Sequence, residues 1–144
     1  MPESVPEACS CAALREATRH VTRFYDDALA SCGLGINQYS ILSKLGRAGP
    51  QTLRDMADQL VMDRSTLGRL LHPLESRGLV TVCVCTDDRR HRVITLTAEG
   101  SAVMAAARPL WTNAERRFEA AFGADQAATL RTVLKQVAAI EFAA

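Results

Sequence analysis

A chain of 144 residues, 48% of them hydrophobic, is long enough to bury one core and too short for two substantial domains. It has no apolar run near the 20 residues a membrane helix needs and no secretory leader, so the expectation is a single cytoplasmic domain with no membrane partner. The net charge is only +1, and seven arginines stand against seven acidic residues over 51–100, which excludes a generally basic nucleic-acid binder. Affinity for DNA would have to come from where single arginines sit.

In chain order, Leu14, Ala17, Val21, Tyr25 and Ala28 form the apolar stripe of a first helix. Ser10 is its candidate cap, and Cys11 falls near its start, where helix-end amides favour a thiolate. Further on, Leu53, Met56, Ala57 and Leu60 recur at i, i+3, i+4, i+7, the spacing of an amphipathic helix. Asp63 is placed to cap another helix that begins at Arg64 and buries Leu67, Leu70, Leu71 and Leu74 before a stop at Gly78. By subtraction its outward face carries Arg64, Ser65, Gly68, Arg69 and His72, donors around one small residue that permits close approach. Such a face suits a DNA major groove, where arginine binds guanine in a bidentate way and serine or threonine serves bases or phosphates. Pro73 removes a backbone donor and is expected to bend the helix away from the Arg69 carbonyl.

The β-branched run Leu79–Val84 and the segment Arg92–Leu96 read as two strands around the polar turn Thr86–His91. The hairpin would be a wing with Arg89 and Arg90 at its tip beside Asp87 and Asp88, so that one carboxylate holds a guanidinium while another arginine projects toward a minor groove. A long alanine-rich helix from about Ala98 to Phe122, with a kink expected at Pro109, follows. After a Gly123 stop and an Asp125 cap, Leu130, Val133, Leu134, Val137 and Ile140 form a last apolar stripe. The two ends therefore carry more apolar helix surface than a small monomer hides, which predicts a helical homodimer interface.

Five cysteines, an odd number in a chain expected to be cytosolic, argue against a disulfide framework. Cys9-x-Cys11 and Cys83-x-Cys85 could in principle supply four thiolates, but they lack the usual two-residue spacing, and the three histidines are scattered. No metal, cofactor or catalytic residue is therefore assigned.

Three segments together resemble the multiple-antibiotic-resistance regulator (MarR) family of winged-helix repressors: Leu74-Glu-Ser-Arg-Gly-Leu-Val80, the Asp88-Arg-Arg90 tip eight residues before Leu96, and Leu96-Thr-Ala-Glu-Gly100. The resemblance covers nearly the whole chain. It implies a mainly α fold with a small β-hairpin wing, in which a winged helix-turn-helix (35–100) is flanked by helical dimerisation regions (1–34 and 101–144) in one domain, 1–144. It makes Asp88 the wing-orienting carboxylate, Arg90 the minor-groove arginine and Arg64 to Arg69, with Ser65 and Thr66, the base-reading segment. It also implies double-stranded DNA with a pseudo-palindromic operator as partner and a small aromatic or oxidant effector.

The Cys11 to Tyr25 spacing is similar to that in the organic-hydroperoxide-sensing branch of the family, although Ile36 stands where that branch has a further tyrosine before Asn37-Gln38-Tyr39. Fourteen helical residues span roughly 21 Å, so Cys11 and Tyr25 could meet only across a dimer. The leading expectation is thus a homodimeric DNA-binding regulator that is not an enzyme, most simply a repressor released by an effector or by oxidation. A peroxide sensor of the same fold using Cys11, a thiol enzyme, and a winged helix used purely for protein interaction are the alternatives.

Overall fold

The computed structural model describes residues 8–84 and 91–144. Six helices, α1 (Ser10–Leu29), α2 (Ile36–Ala48), α3 (Leu53–Gln59), α4 (Arg64–Ser76), α5 (Ala98–Phe122) and α6 (Ala124–Ala138), surround three short strands, β1 (Gln51–Thr52), β2 (Val80–Val84) and β3 (Arg92–Leu96). The strands form an antiparallel sheet in the order β1-β3-β2, with Val80 opposite Leu96, Val84 opposite Arg92 and Thr52 opposite Val93. The β2–β3 hairpin is the expected wing. Its tip, with Asp88, Arg89 and Arg90, lies outside the described residues. β1 is an element the residue pattern did not reveal, because two residues are too few to show alternation.

The core sits where α2, α3, α4, the sheet and α5 meet, and Ile41, Leu42, Met56, Leu67, Leu74, Val80 and Ile94 are fully buried there. Local chemistry sets the element ends. Thr52 Oγ1 accepts the Asp55 N–H at 3.1 Å and starts α3. α3 then ends in a Schellman turn, in which the Met62 N–H donates to the Ala57 carbonyl at 3.0 Å and the Val61 N–H to that of Asp58 at 3.2 Å. α4 ends in the same way: Leu79 N–H donates to Leu74 and Gly78 N–H to Glu75, both at 2.9 Å. Gly78, at φ +74°, takes the left-handed position without a steric penalty, whereas Val61, at φ +53°, does not.

One knot joins the wing to the long helix. Thr97 Oγ1 accepts the Gly100 N–H at 3.0 Å to cap α5, while its hydroxyl points at the carbonyls of Gly78 (2.6 Å) and Leu79 (3.0 Å). Gly100 packs so tightly beneath Leu79 that a Cβ there would lie 2.0 Å from the Leu79 carbonyl oxygen. Arg77 makes a second tie by donating to the carbonyls of Gly33 (2.9 Å) and Cys32 (3.2 Å), which binds the end of α4 to the turn after α1.

Several boundaries differ from expectation. The cap of α1 is Cys9, whose Sγ accepts the Ala12 N–H at 3.4 Å; Ser10 is already the first helical residue. Gly123 occupies the N-cap of α6, and Asp125 lies inside the first turn, where its charge complements the helix dipole without capping. α6 ends at Ala138, so Ile140 belongs to the tail beyond it. α5 spans the expected Ala98–Phe122, and the helical assignment continues through Pro73 in α4 and through Pro109 in α5, so neither proline ends its helix. No described helix is long and apolar enough to cross a membrane.

Candidate nucleic-acid interface

α4 is amphipathic in the way its leucines require. Leu67, Leu71 and Leu74 are buried against the core, and Arg64, Ser65, Gly68, Arg69 and His72 are exposed, with Thr66 half-buried at the margin. Nothing stands within 4 Å of the place a Gly68 side chain would occupy, so this face is open to a close-approaching partner. The five outward residues read from the sequence therefore lie on one accessible surface.

The start of that surface is fixed by Asp63. Its Oδ1 accepts the Thr66 N–H at 2.6 Å and the Ser65 hydroxyl at 2.7 Å. These bonds, the backbone one first, favour the ionised carboxylate and hold its pKa down to about 2. Arg69 Nη2 lies 3.4 Å from Thr66 Oγ1, a long contact that leaves the guanidinium able to turn outward.

Two clefts flank the helix. One, of about 450 Å³, is lined by Thr52, Leu53, Arg54, Arg64, His91 and Arg92 at the junction of α3, α4 and β3. The other, of about 270 Å³, runs between α4 and the wing and includes Gly68, His72, Val84 and Arg92. Arg54 and Arg92 were not singled out from the sequence. Arg54 sits on the polar face of a helix read for its apolar stripe, and Arg92 opens a strand read for its β-branched residues.

At the other end of the molecule the tyrosine of the first stripe has an unforeseen partner. Tyr25 is 8% exposed, and its hydroxyl donates to Glu115 Oε2. Glu115 Oε1 in turn accepts from Arg131 at 3.1 Å, and Arg131 also reaches Glu119 at 3.4 Å. Burial first, then the bond to Glu115, pushes the Tyr25 phenol well above its ordinary range. This network ties α1, α5 and α6 together. Cys11 is exposed near the start of α1, and the chain does not bring it to Tyr25. Cys9 and Cys83 are likewise exposed, and no group of three potential metal ligands occurs among the described residues.

The MarR family model matches residues 34–91, from the end of the α1–α2 turn to the residue before β3. The chain also superposes on the DNA-bound transcriptional regulator MosR of M. tuberculosis with TM-score 0.75 and 30% identity, covering 90% of this chain and 98% of that one. The chain belongs to the MarR family. Its similarity extends to the MarR-type repressor CouR of Rhodococcus jostii RHA1, solved on a 23-mer DNA duplex, at TM-score 0.80 and 27% identity over 90% of this chain and 92% of that one. Among curated MarR relatives, the organic hydroperoxide resistance transcriptional regulator of Bacillus subtilis (strain 168) is 31% identical over 91 residues. That match takes in 63% of this chain and spans 62% of the Bacillus protein's length, less than two thirds. The mainly helical architecture with a three-stranded sheet is that of MarR structures.

Proposed function

We propose that this protein is a cytoplasmic, homodimeric transcriptional regulator that binds a pseudo-palindromic operator in duplex DNA and is not an enzyme. The observation that carries the reading is the outward face of α4, with its donors exposed around an open Gly68 opposite a buried leucine stripe. On this reading residues 35–100 form the DNA-binding part and 1–34 with 101–144 the dimerisation part. Arg64 to Arg69, with Ser65 and Thr66, is the base-reading segment, His72 extends the same face, and at the wing tip Arg90, with Arg89 beside it and Asp88 orienting it, enters the minor groove. MosR and CouR, each solved with DNA, support the choice of partner.

Repression is relieved when an effector prefers a spacing of the two reading lobes that the operator cannot accept. The effector class is a small aromatic molecule or an oxidant. The test is an anisotropy titration on the protein's own upstream DNA. Wild type is expected to bind with a steep salt dependence, and Arg69→Ala to lose roughly 1–3 kcal/mol of discrimination between operator and scrambled duplex. Equal affinity of wild type for both duplexes would defeat the reading.

A second reading is favoured by the exposed Cys11 and the likeness to the Bacillus organic hydroperoxide regulator. In that version Cys11 is oxidised and the dimer releases DNA. Release of wild type, but not of Cys11→Ser, by an organic hydroperoxide is the expected result; identical behaviour of the two proteins would remove it.

A further inference from the structure

The cleft at the junction of α3, α4 and β3 gathers three guanidinium groups from three separate elements, Arg54, Arg64 and Arg92. Among the described residues no carboxylate lines it and none of the three guanidinium groups has a hydrogen-bond or ion-pair partner; the described ion pairs belong to Arg131 on the far side of the molecule. Like charges gathered at one cleft repel, and an anion seated between them relieves that repulsion. The Thr52 Oγ1 on the rim accepts the Asp55 N–H to cap α3, which leaves its hydroxyl hydrogen as a further donor beside the cationic groups. Planar guanidinium forks match the oxygen geometry of a phosphate group. A volume of about 450 Å³ admits such a group with part of its hydration.

We propose that this cleft seats one backbone phosphate of the bound duplex, gripped by Arg54 and Arg92, with Arg64 closing the side next to the reading face. This rests on the DNA-binding reading above and adds a division of labour to it. The cleft sets the depth and register of α4 in the groove and carries no sequence information, since phosphate contacts position and base contacts specify. Because Arg92 also lines the cleft between α4 and the wing, the same phosphate links the recognition helix to the hairpin.

The test compares wild type with Arg54→Gln and Arg92→Gln, both at exposed positions, after circular dichroism has shown unchanged folding. Each variant is titrated against the operator and an unrelated duplex over a series of salt concentrations. The expected result is an affinity loss of about tenfold per protomer on both duplexes alike, as for one lost charged hydrogen bond. The slope of log K against log salt should become shallower by about 1 for each cleft. An unchanged slope in a variant, with wild type still binding its operator, overturns the proposal and leaves the DNA reading standing. A loss confined to the operator also overturns it and makes these arginines base readers. Thermal stabilisation of DNA-free wild type by millimolar inorganic phosphate, absent in Arg54→Gln and accompanied by an unchanged DNA salt slope, assigns the cleft to a small anion instead. If wild type binds no duplex at all, the parent reading falls first and the phosphate seat with it.

Discussion

Two residues show how much the backbone demands of a single side chain. Gly100 lies at the start of α5 under the Leu79 carbonyl, and a methyl group there would stand 2.0 Å from that oxygen. Neither group can yield cheaply, because Leu79 O also accepts the Thr97 N–H at 3.1 Å and Thr97 caps the helix. Gly100→Ala is expected to cost about 3 kcal/mol, the upper end of overpacking effects, measured by urea denaturation; a cost below about 1 kcal/mol would mean the α5 cap is not held where described. Val61 is the opposite case. It occupies the left-handed position of a Schellman turn, is 72% exposed, and has a β-branched side chain that suits this conformation badly. Relief of about 1–2 kcal/mol of steric strain outweighs glycine's extra chain entropy of about 0.5–1 kcal/mol, so Val61→Gly is expected to raise stability by up to about 1 kcal/mol. A lower denaturation midpoint in the variant would show that the turn needs the valine for packing.

Between residues and the whole chain, the helix ends decide what the protein presents. Asp63 caps α4 as a carboxylate held at about 2 instead of its ordinary 3.8. A depressed pKa gives stabilisation that is fully present above pH 4 and lost as the pH falls toward 2. Asp63→Asn keeps a capping oxygen without the titration. The thermal midpoint of wild type should therefore fall more steeply than the variant's between pH 4 and pH 2, and parallel curves would contradict this account.

Such caps were legible in the sequence when one residue supplies them in passing, as Asp63 does for α4. They were illegible when the partner comes from elsewhere: the first amide of α2, on Ile36, donates at 2.7 Å to Asp26 on α1, a distance of ten residues that no local pattern encodes. The Cys9 cap of α1 was illegible because a thiol is a weak acceptor and carries no capping signature in a sequence. The exposed face of α4 could be deduced by removing its leucines, since 3.6-residue periodicity fixes both faces at once. The cleft arginines could not, because Arg54 and Arg92 become neighbours only when β3 pairs with β1.

At the scale of the molecule, the terminal helices leave a face that the chain does not cover. α1, α5 and α6 enclose an apolar groove of about 730 Å³ bordered by Leu14, Val21, Leu130, Val133, Leu134 and Val137. Leu134 is 38% exposed although it belongs to the stripe, and Phe142 in the tail is 83% exposed. Contiguous apolar surface of this kind marks an interface. At its foot the Tyr25–Glu115–Arg131 network holds the three helices in a fixed relation. On the proposed homodimer, a second copy packed on this face would meet three helices tied to one another, which is what coupling between the two reading lobes requires.

Leu134→Asp separates association from folding, because the side chain is already half out of the monomer and lies far from α4. The expected outcome in sedimentation equilibrium is a folded monomer where wild type is a dimer. Linking two modules multiplies their affinity by a factor on the order of 10²–10⁴, so the operator affinity of the variant should fall by about that much while its weak binding to a single half-site survives. A variant that stays dimeric would place the interface elsewhere. A monomer that keeps full operator affinity would show that one winged helix suffices, and regulation by lobe spacing would then have no structural basis.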